Sequence, residues 1–499
     1  MRTLLSRTLA LMAVVLAPLL VLGQGYLPRD DALRHAAKAV SGLSWSEILI
    51  LRPEIALDSN PGWHALLSAL HRWFGLGTVD LVVFSVVALF VVFSLGPVLL
   101  LRRPEAWLLA LTLMGVACQA EVGRLMLGRP FLLSSAIVPL VCLLWPRLEE
   151  RWPWPVLALF AGCGVVSCWM HGSYYLLALP VAALLAAGRW RAGAALAGAF
   201  ALGIAVGALL TGHPLAHLWQ MLLHGYLSVG RPHPASLLVY EFRPFDGAPL
   251  AVASLIALLV WRSKRRADAL LPWRDPVVIL VVLCWALGYV AVRFWHDWSA
   301  PALLTLAALE IQDALEHRDQ SRASAAPLLV IGAAALLLVS TRADVEQRWS
   351  DKRGRLFLSQ ENPTHRAWLP DPGGIAYSAD MGVFYSLFFA NPTGQWRYVL
   401  GFEAALMRDE DYAVYTAIMA SQGLTESYLP WLRRMRPEDR LYVVSQSNQP
   451  PPVPGLAWFE PVFGIWAGRL PRTPDGGVAA PPALSVVPLL DRVPTSQGP

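Results

Sequence analysis

The sequence predicts a mainly α-helical, polytopic membrane protein of about eleven transmembrane helices, N-terminus inside and C-terminus outside, with a small C-terminal α/β domain. Three observations predict it. Of the residues, 56% are hydrophobic and only 15% are charged, whereas a soluble domain carries about 25% charged residues. Basic residues gather in alternate connections between apolar segments. After Ser340 the long apolar segments stop and a mixed polar pattern begins. The net charge of +5 therefore reads as an orientation signal and implies no nucleic-acid partner. Cys118, Cys142, Cys163, Cys168 and Cys284 lie in or beside apolar segments, so neither a disulfide framework nor a zinc site is indicated.

Arg2 and Arg7 precede an apolar run over residues 9–22, and the weak cleavage signal after it predicts an uncleaved first helix. Residues 24–77 form a long amphipathic loop. Helical spacing covers 31–40, a second short helix fits 44–51, and Asn60-Pro61-Gly62 breaks the chain before another helix over 63–74. Such a loop, rich in Trp and His, is expected along the membrane interface. Further spans are predicted over 79–101, 106–118, 131–145, 154–170, 174–187, 194–210, 249–261, 277–292, 300–310 and 326–340.

Arg102-Arg103, Arg147 with Arg151, Arg189 with Arg191, the run 262–266 and His317-Arg318 occupy alternate connections and mark them as the inner ones. The outward connections are then 24–77, 119–129, 171–173, 212–247 and 293–298. They carry nearly all remaining ionisable residues, including Glu121, Arg124, Glu241 and Asp297. The chain divides into a transmembrane helical domain (1–341), an outer α/β domain (342–475) with strand-like runs at 374–378 and 440–445, and a Pro/Gly/Ser-rich tail (476–499) expected to be disordered.

The densest chemistry is Asp30-Asp31-Ala32-Leu33-Arg34-His35, just beyond the first span. A carboxylate there can act as a base towards a hydroxyl or bind a cation beside a phosphate leaving group. The same letters also open an ordinary helix, with one Asp as its N-cap; a cap needs only one of the two, so both roles can coexist. Planar guanidinium groups suit phosphate, which makes Arg residues on the outer loops candidates to hold one. Arg129 reads equally as a snorkelling helix-end Arg. His171, in a turn between apolar runs, is a binding candidate, although a lone His there is more often bonded to backbone. His296 and Asp297 follow a span and could pair with Arg293. His213 and His217 stand four apart, but no carboxylate or Cys sits at a matching spacing, so no metal is assigned.

With these residues in view, the chain resembles the GT-C superfamily of integral-membrane glycosyltransferases, and within it a poorly characterised bacterial group. The matching stretches are the acidic pair Asp30-Asp31 after a first helix, Gly128-Arg129-Pro130-Phe131, Met170-His171-Gly172-Ser173-Tyr174-Tyr175, and Ala379-Asp380-Met381 with Tyr398-Val399-Leu400-Gly401-Phe402-Glu403. The resemblance implies transfer of a sugar from a polyprenyl-phosphate carrier to an acceptor on the periplasmic side of a bacterial inner membrane. It casts Asp31 or Asp30 as base, and Arg34, Arg129, His171, Arg231, Arg243, Arg293 and His296 as substrate- or phosphate-binding residues. The partners it implies are membrane lipid, the lipid-linked sugar and envelope-assembly proteins. A divalent metal is compatible with the acidic pair but not indicated, because the outer loops lack a second such pair. The rival expectation is a non-catalytic component that binds or transports a lipid-linked glycan. An ion-coupled transporter is disfavoured, because almost no ionisable residue falls mid-span.

Overall fold

The computed structural model describes residues 2–54, 57–229, 240–245, 247–265, 271–318, 326–341, 358–445, 447, 449–462 and 464–471. Arg231 and the tail at 476–499 lie outside the described residues, as does the junction at 342–357. The protein is mainly helical, with a small sheet near its C-terminus.

Five described helices are long and apolar enough to cross a membrane: Leu4–Gly23, Thr78–Leu100, Phe131–Glu149, Trp154–His171 and Trp190–Leu210. Helices also form at the other predicted apolar segments, but Glu105–Ala117 and Pro276–Gly288 are shorter than the roughly 20 residues of a perpendicular span. The apolar helix Met381–Ala390 shows that hydropathy alone does not mark a span. Its Phe384, Leu387 and Phe388 are buried against Tyr398 and Tyr442 of the sheet. The helical core is built from large side chains such as Phe90, Phe93, Trp107 and Trp298. The helices Trp154–Val166 and Trp190–Leu210 approach so closely that a Cβ on Gly203 would lie 2.0 Å from the Ala161 carbonyl oxygen.

The segment after the first helix, α1 (Arg2–Gly23), folds as expected locally. The helix α2 (Asp31–Ser41) starts at Asp30, whose carboxylate accepts the Asp31 N–H, and ends at Gly42. A capping box of Ser44 and Glu47 opens α3 (Trp45–Ile48), and Pro61 opens α4 (Pro61–Phe74). α2 packs on α4, on the helix Thr78–Leu100 and on Met381–Ala390. Trp45, Ile48 and Leu49 join the core of the C-terminal unit. Ile50 N–H donates to the Tyr398 carbonyl at 2.9 Å, and Arg52 N–H to that of Leu406 at 3.0 Å. The reason is apolar: α3 alone would leave Trp45 and Ile48 in water, and the aromatic face of Met381–Ala390 covers them.

The C-terminal sheet has five strands, β1 (Ile375–Ser378), β2 (Arg397–Tyr398), β3 (Arg440–Val444), β4 (Ala457–Val462) and β5 (Ile465–Arg469), in the order β2-β1-β3-β5-β4. β1 runs parallel to β2 and β3, and β5 is antiparallel to β3 and β4, which makes the mixed sheet expected of an α/β unit. The two strand-like runs of the sequence are β1 and β3; the sequence reading did not find β2, β4 or β5.

Candidate functional site

The acidic pair, the helix ends and the C-terminal unit meet around one cavity of about 340 Å³. Asp30, Asp31, Arg34, Arg129, His171 and Arg293 all line it, brought together from four separate stretches of chain. Arg29, Arg124, Glu241 and Asp297 line it as well, and Tyr385, Phe402 and Glu403 do so from the C-terminal unit.

Asp31 is held by three side chains. Its Oδ1 accepts Arg34 Nε at 2.7 Å and the Tyr385 hydroxyl at 3.0 Å, while Oδ2 faces Arg129 Nη2 at 2.8 Å. Burial pushes its pKa up, but Arg34 and Arg129 outweigh burial and hold it well below the usual carboxylate range. Asp31 is therefore an anion at every physiological pH. Tyr385 is affected in the opposite sense: burial and the Asp31 charge push its hydroxyl well above its ordinary value, so it stays a donor. Asp30 combines the N-cap role with a cavity position, its Oδ2 lying 3.5 Å from Arg129 Nη1. Cap and cavity thus coexist on one residue.

The guanidinium groups are cross-linked by acids. Arg129 Nη1 donates to Glu241 Oε1 at 2.6 Å, and Arg124 Nη1 reaches the same oxygen at 3.1 Å. Arg124 Nη2 donates to Asp297 Oδ1 at 3.1 Å, and Arg293 Nε to Asp297 Oδ2 at 3.0 Å. Around the cavity five guanidinium groups (Arg29, Arg34, Arg124, Arg129, Arg293) face five carboxylates (Asp30, Asp31, Glu241, Asp297, Glu403). The site is rich in charge yet close to neutral.

His171 is placed by partners on two other elements, Arg293 and Ser134. Arg293 Nη2 donates to Ser173 Oγ at 2.8 Å and stands 3.3 Å from His171 Nε2. Because guanidinium nitrogen only donates, His171 accepts at Nε2 and carries its proton on Nδ1, which meets Ser134 Oγ at 3.0 Å. Gly172 makes the turn behind it at φ +72°, where a Cβ would stand 2.7 Å from the Ser59 carbonyl oxygen.

Other candidate residues fall elsewhere. His296 does not line the cavity: its Nδ1 meets Glu121 Oε1 at 2.7 Å, on the side where Trp295 Nε1 also donates to that oxygen. Arg243 does not line it either; its carbonyl accepts the Val292 N–H at 2.7 Å. His217, four residues after His213, meets the Cys168 carbonyl through Nε2 at 3.2 Å. Among the described residues, no group of three or more His, Cys, Asp or Glu side chains is arranged to hold a metal ion.

Two cavity-lining features escaped sequence reasoning. His224 pairs with Glu403 of the C-terminal unit. Burial lowers the His224 pKa, but the Glu403 carboxylate more than compensates and the net direction is up. Arg34 lies over the Phe402 ring at 4.0 Å. A long apolar stretch conceals Tyr385 and Phe402 as core residues, and no local pattern marks His224 for a partner at Glu403.

No protein-family description matches the chain, and no curated protein matches it.

Proposed function

We propose that this chain is a membrane glycosyltransferase of the GT-C type. It moves a sugar from a polyprenyl-phosphate-linked donor to an acceptor on the periplasmic face of a bacterial inner membrane, in cell-envelope or exopolysaccharide assembly. The topology that goes with this reading is about eleven spans, N-terminus inside, with the sheet-bearing C-terminal unit outside. One observation carries it: the acidic pair of the first loop opens onto a cavity of about 340 Å³ that Arg129, Arg293 and His171 also line. A chain without a ligand there has no evident need to gather five guanidinium groups around a space.

In this reading the donor phosphate binds between Arg129 and Arg293, exchanging with carboxylates that now hold them. The near-neutral charge balance favours a singly charged phosphodiester over a diphosphate, which brings at least one further negative charge. The acceptor O–H gives its proton to a carboxylate as its oxygen bonds to the anomeric carbon. The carbon–phosphate-oxygen bond breaks, and its electron pair leaves on the phosphate beside the guanidinium groups. Asp31, with both oxygens engaged and its pKa depressed, is poorly suited to take that proton. We assign it to hold Arg34 and Arg129, and assign the base to Asp30. Sugar transfer in membranes carrying Asp30→Asn, Asp31→Asn or both tests this; full activity in the double variant ends the catalytic assignment.

The mutual satisfaction of acids and bases also favours a second reading, a non-catalytic component that binds or transports a lipid-linked glycan. Mass spectrometry of lipid-linked intermediates after deletion separates the two. A glycan short by one sugar marks the transferase, and a complete but undelivered one marks transport.

A further inference from the structure

A second chain of buried polar groups reaches the same cavity and has no part in the chemistry above. Asp58 stands at its outer end. Its Oδ1 accepts the Asn60 N–H at 2.9 Å and Trp45 Nε1 at 3.2 Å, and its Oδ2 meets His64 Nδ1 at 2.5 Å. His64 Nε2 in turn meets His35 Nδ1 at 2.7 Å. His35 and His64 are both buried, and His35 lines the cavity. His35 Nε2, shielded from water, has no hydrogen-bond partner.

The order of bonds fixes the protons. A carboxylate only accepts, so His64 donates from Nδ1 and offers a lone pair at Nε2. His35 must then donate from Nδ1, which leaves a lone pair on its own Nε2. The two rings are neutral: burial and the neighbouring Arg34 hold His35 well below its ordinary pKa, and burial lowers His64 despite Asp58. His64, Asp31 and Arg129 also face His35, and Lys38 and Arg34 face His64. A buried acceptor left without a donor is unfavourable, and native proteins retain few of them.

We propose that His35 is a specificity residue whose Nε2 receives a hydroxyl hydrogen of the bound sugar, with Asp58 and His64 as positioning residues that lock the ring in its accepting form. A neutral lone pair welcomes an O–H donor and repels a phosphate oxygen. The cavity then has two poles, guanidinium groups for the phosphate and His35 for the sugar. The proposal rests on reading the cavity as a site for a phosphate-linked sugar.

The test is solid-state NMR of the full-length protein, labelled with ¹⁵N-histidine and reconstituted in bilayers, with a His35→Gln sample to assign the signals. In the free protein at neutral pH, His35 shows a protonated Nδ1 and a bare Nε2, and Asp58→Asn abolishes that single form. Protonated Nε2 in the free protein overturns the proposal. Hexose and pentose 1-phosphates are then titrated against inorganic phosphate. At least one sugar phosphate moves the bare-nitrogen signal, inorganic phosphate leaves it in place, and His35→Leu weakens the sugar phosphate about tenfold without weakening phosphate. Binding of a sugar phosphate with the His35 signal unmoved overturns the proposal alone. Absence of binding by every sugar phosphate and by phosphate overturns the reading of the cavity, and the proposal with it.

Discussion

Replacing Asp31 by Asn keeps the shape of the side chain and removes its charge, which isolates what the carboxylate does for the fold. In the native protein it accepts Arg34 Nε at 2.7 Å and the Tyr385 hydroxyl at 3.0 Å and faces Arg129 Nη2 at 2.8 Å, all in a buried setting. An asparagine offers one accepting oxygen and turns an N–H₂ group towards guanidinium donors. Breaking a buried ion pair by removing one partner destabilises by about 3–5 kcal/mol, and we expect Asp31→Asn to fall in that range. Adding Arg129→Gln should recover part of the loss, because the two changes act on one pair. The pH dependence follows from the sign of the shift. Asp31 titrates lower in the folded than in the unfolded chain, where it titrates near its reference value of about 3.9. Its stabilisation is therefore complete above that value and is lost as pH falls through the folded pKa. Unfolding by SDS in mixed micelles, followed by tryptophan fluorescence, should show a constant gap between native and variant proteins from pH 8 to 5, narrowing below about pH 4. A gap under about 1 kcal/mol, or one that changes between pH 8 and 5, refutes the assignment of Asp31 as the buried anchor of the two arginines.

Three further outcomes are expected. Glu241→Gln weakens the bonds that both Arg124 and Arg129 make to one oxygen, and should lower stability by about 2–4 kcal/mol in the same SDS titration. The contact of His224 with Glu403 should stabilise the docking of the C-terminal unit fully below pH about 6.5 and fade as pH rises through the elevated folded pKa; hydrogen exchange of residues 399–407, corrected for intrinsic rates, should therefore rise with pH in the native protein and not in His224→Gln. Gly172→Ala should destabilise by more than about 1 kcal/mol, since a Cβ would meet the Ser59 carbonyl and Met221 in a left-handed turn, whereas Gly162→Ala, in open space, should be neutral or slightly stabilising when thermal unfolding is compared.

What the sequence made legible, and what it hid, follows from the range of the interactions. Helices appeared where apolar periodicity and local caps agreed, as at Asp30, Ser44 and Pro61, because those signals lie within a few residues. The polar residues beside apolar segments were legible for a similar reason: Arg129, His171 and Arg293 stand at helix ends, where a charge needs a partner or water. His296 misled because it neighbours Asp297. The two side chains diverge on the turn, Asp297 towards Arg124 and Arg293 and His296 towards Glu121. Strand β2 is only two residues long, Pro461 interrupts the alternation of the edge strand β4, and Gly464 stands just before the short β5, so no pattern there reached the length at which alternation stands out. Tyr385 and Glu403 reach the site across more than 170 residues of chain to Asp31 and His224, a distance over which no spacing rule operates. The sharing of Trp45 and Leu49 with the C-terminal core was hidden in the same way.

The proposed activity is tested most directly by the lipid-linked glycans that accumulate in a deletion strain carrying either the native chain or Asp30→Asn. With the native chain, the mass spectrum should show the full-length glycan. Asp30→Asn should leave an intermediate one sugar short, matching the empty deletion strain, while the variant protein folds and inserts normally. A complete glycan in the presence of Asp30→Asn, or in the deletion strain itself, contradicts sugar transfer at this cavity.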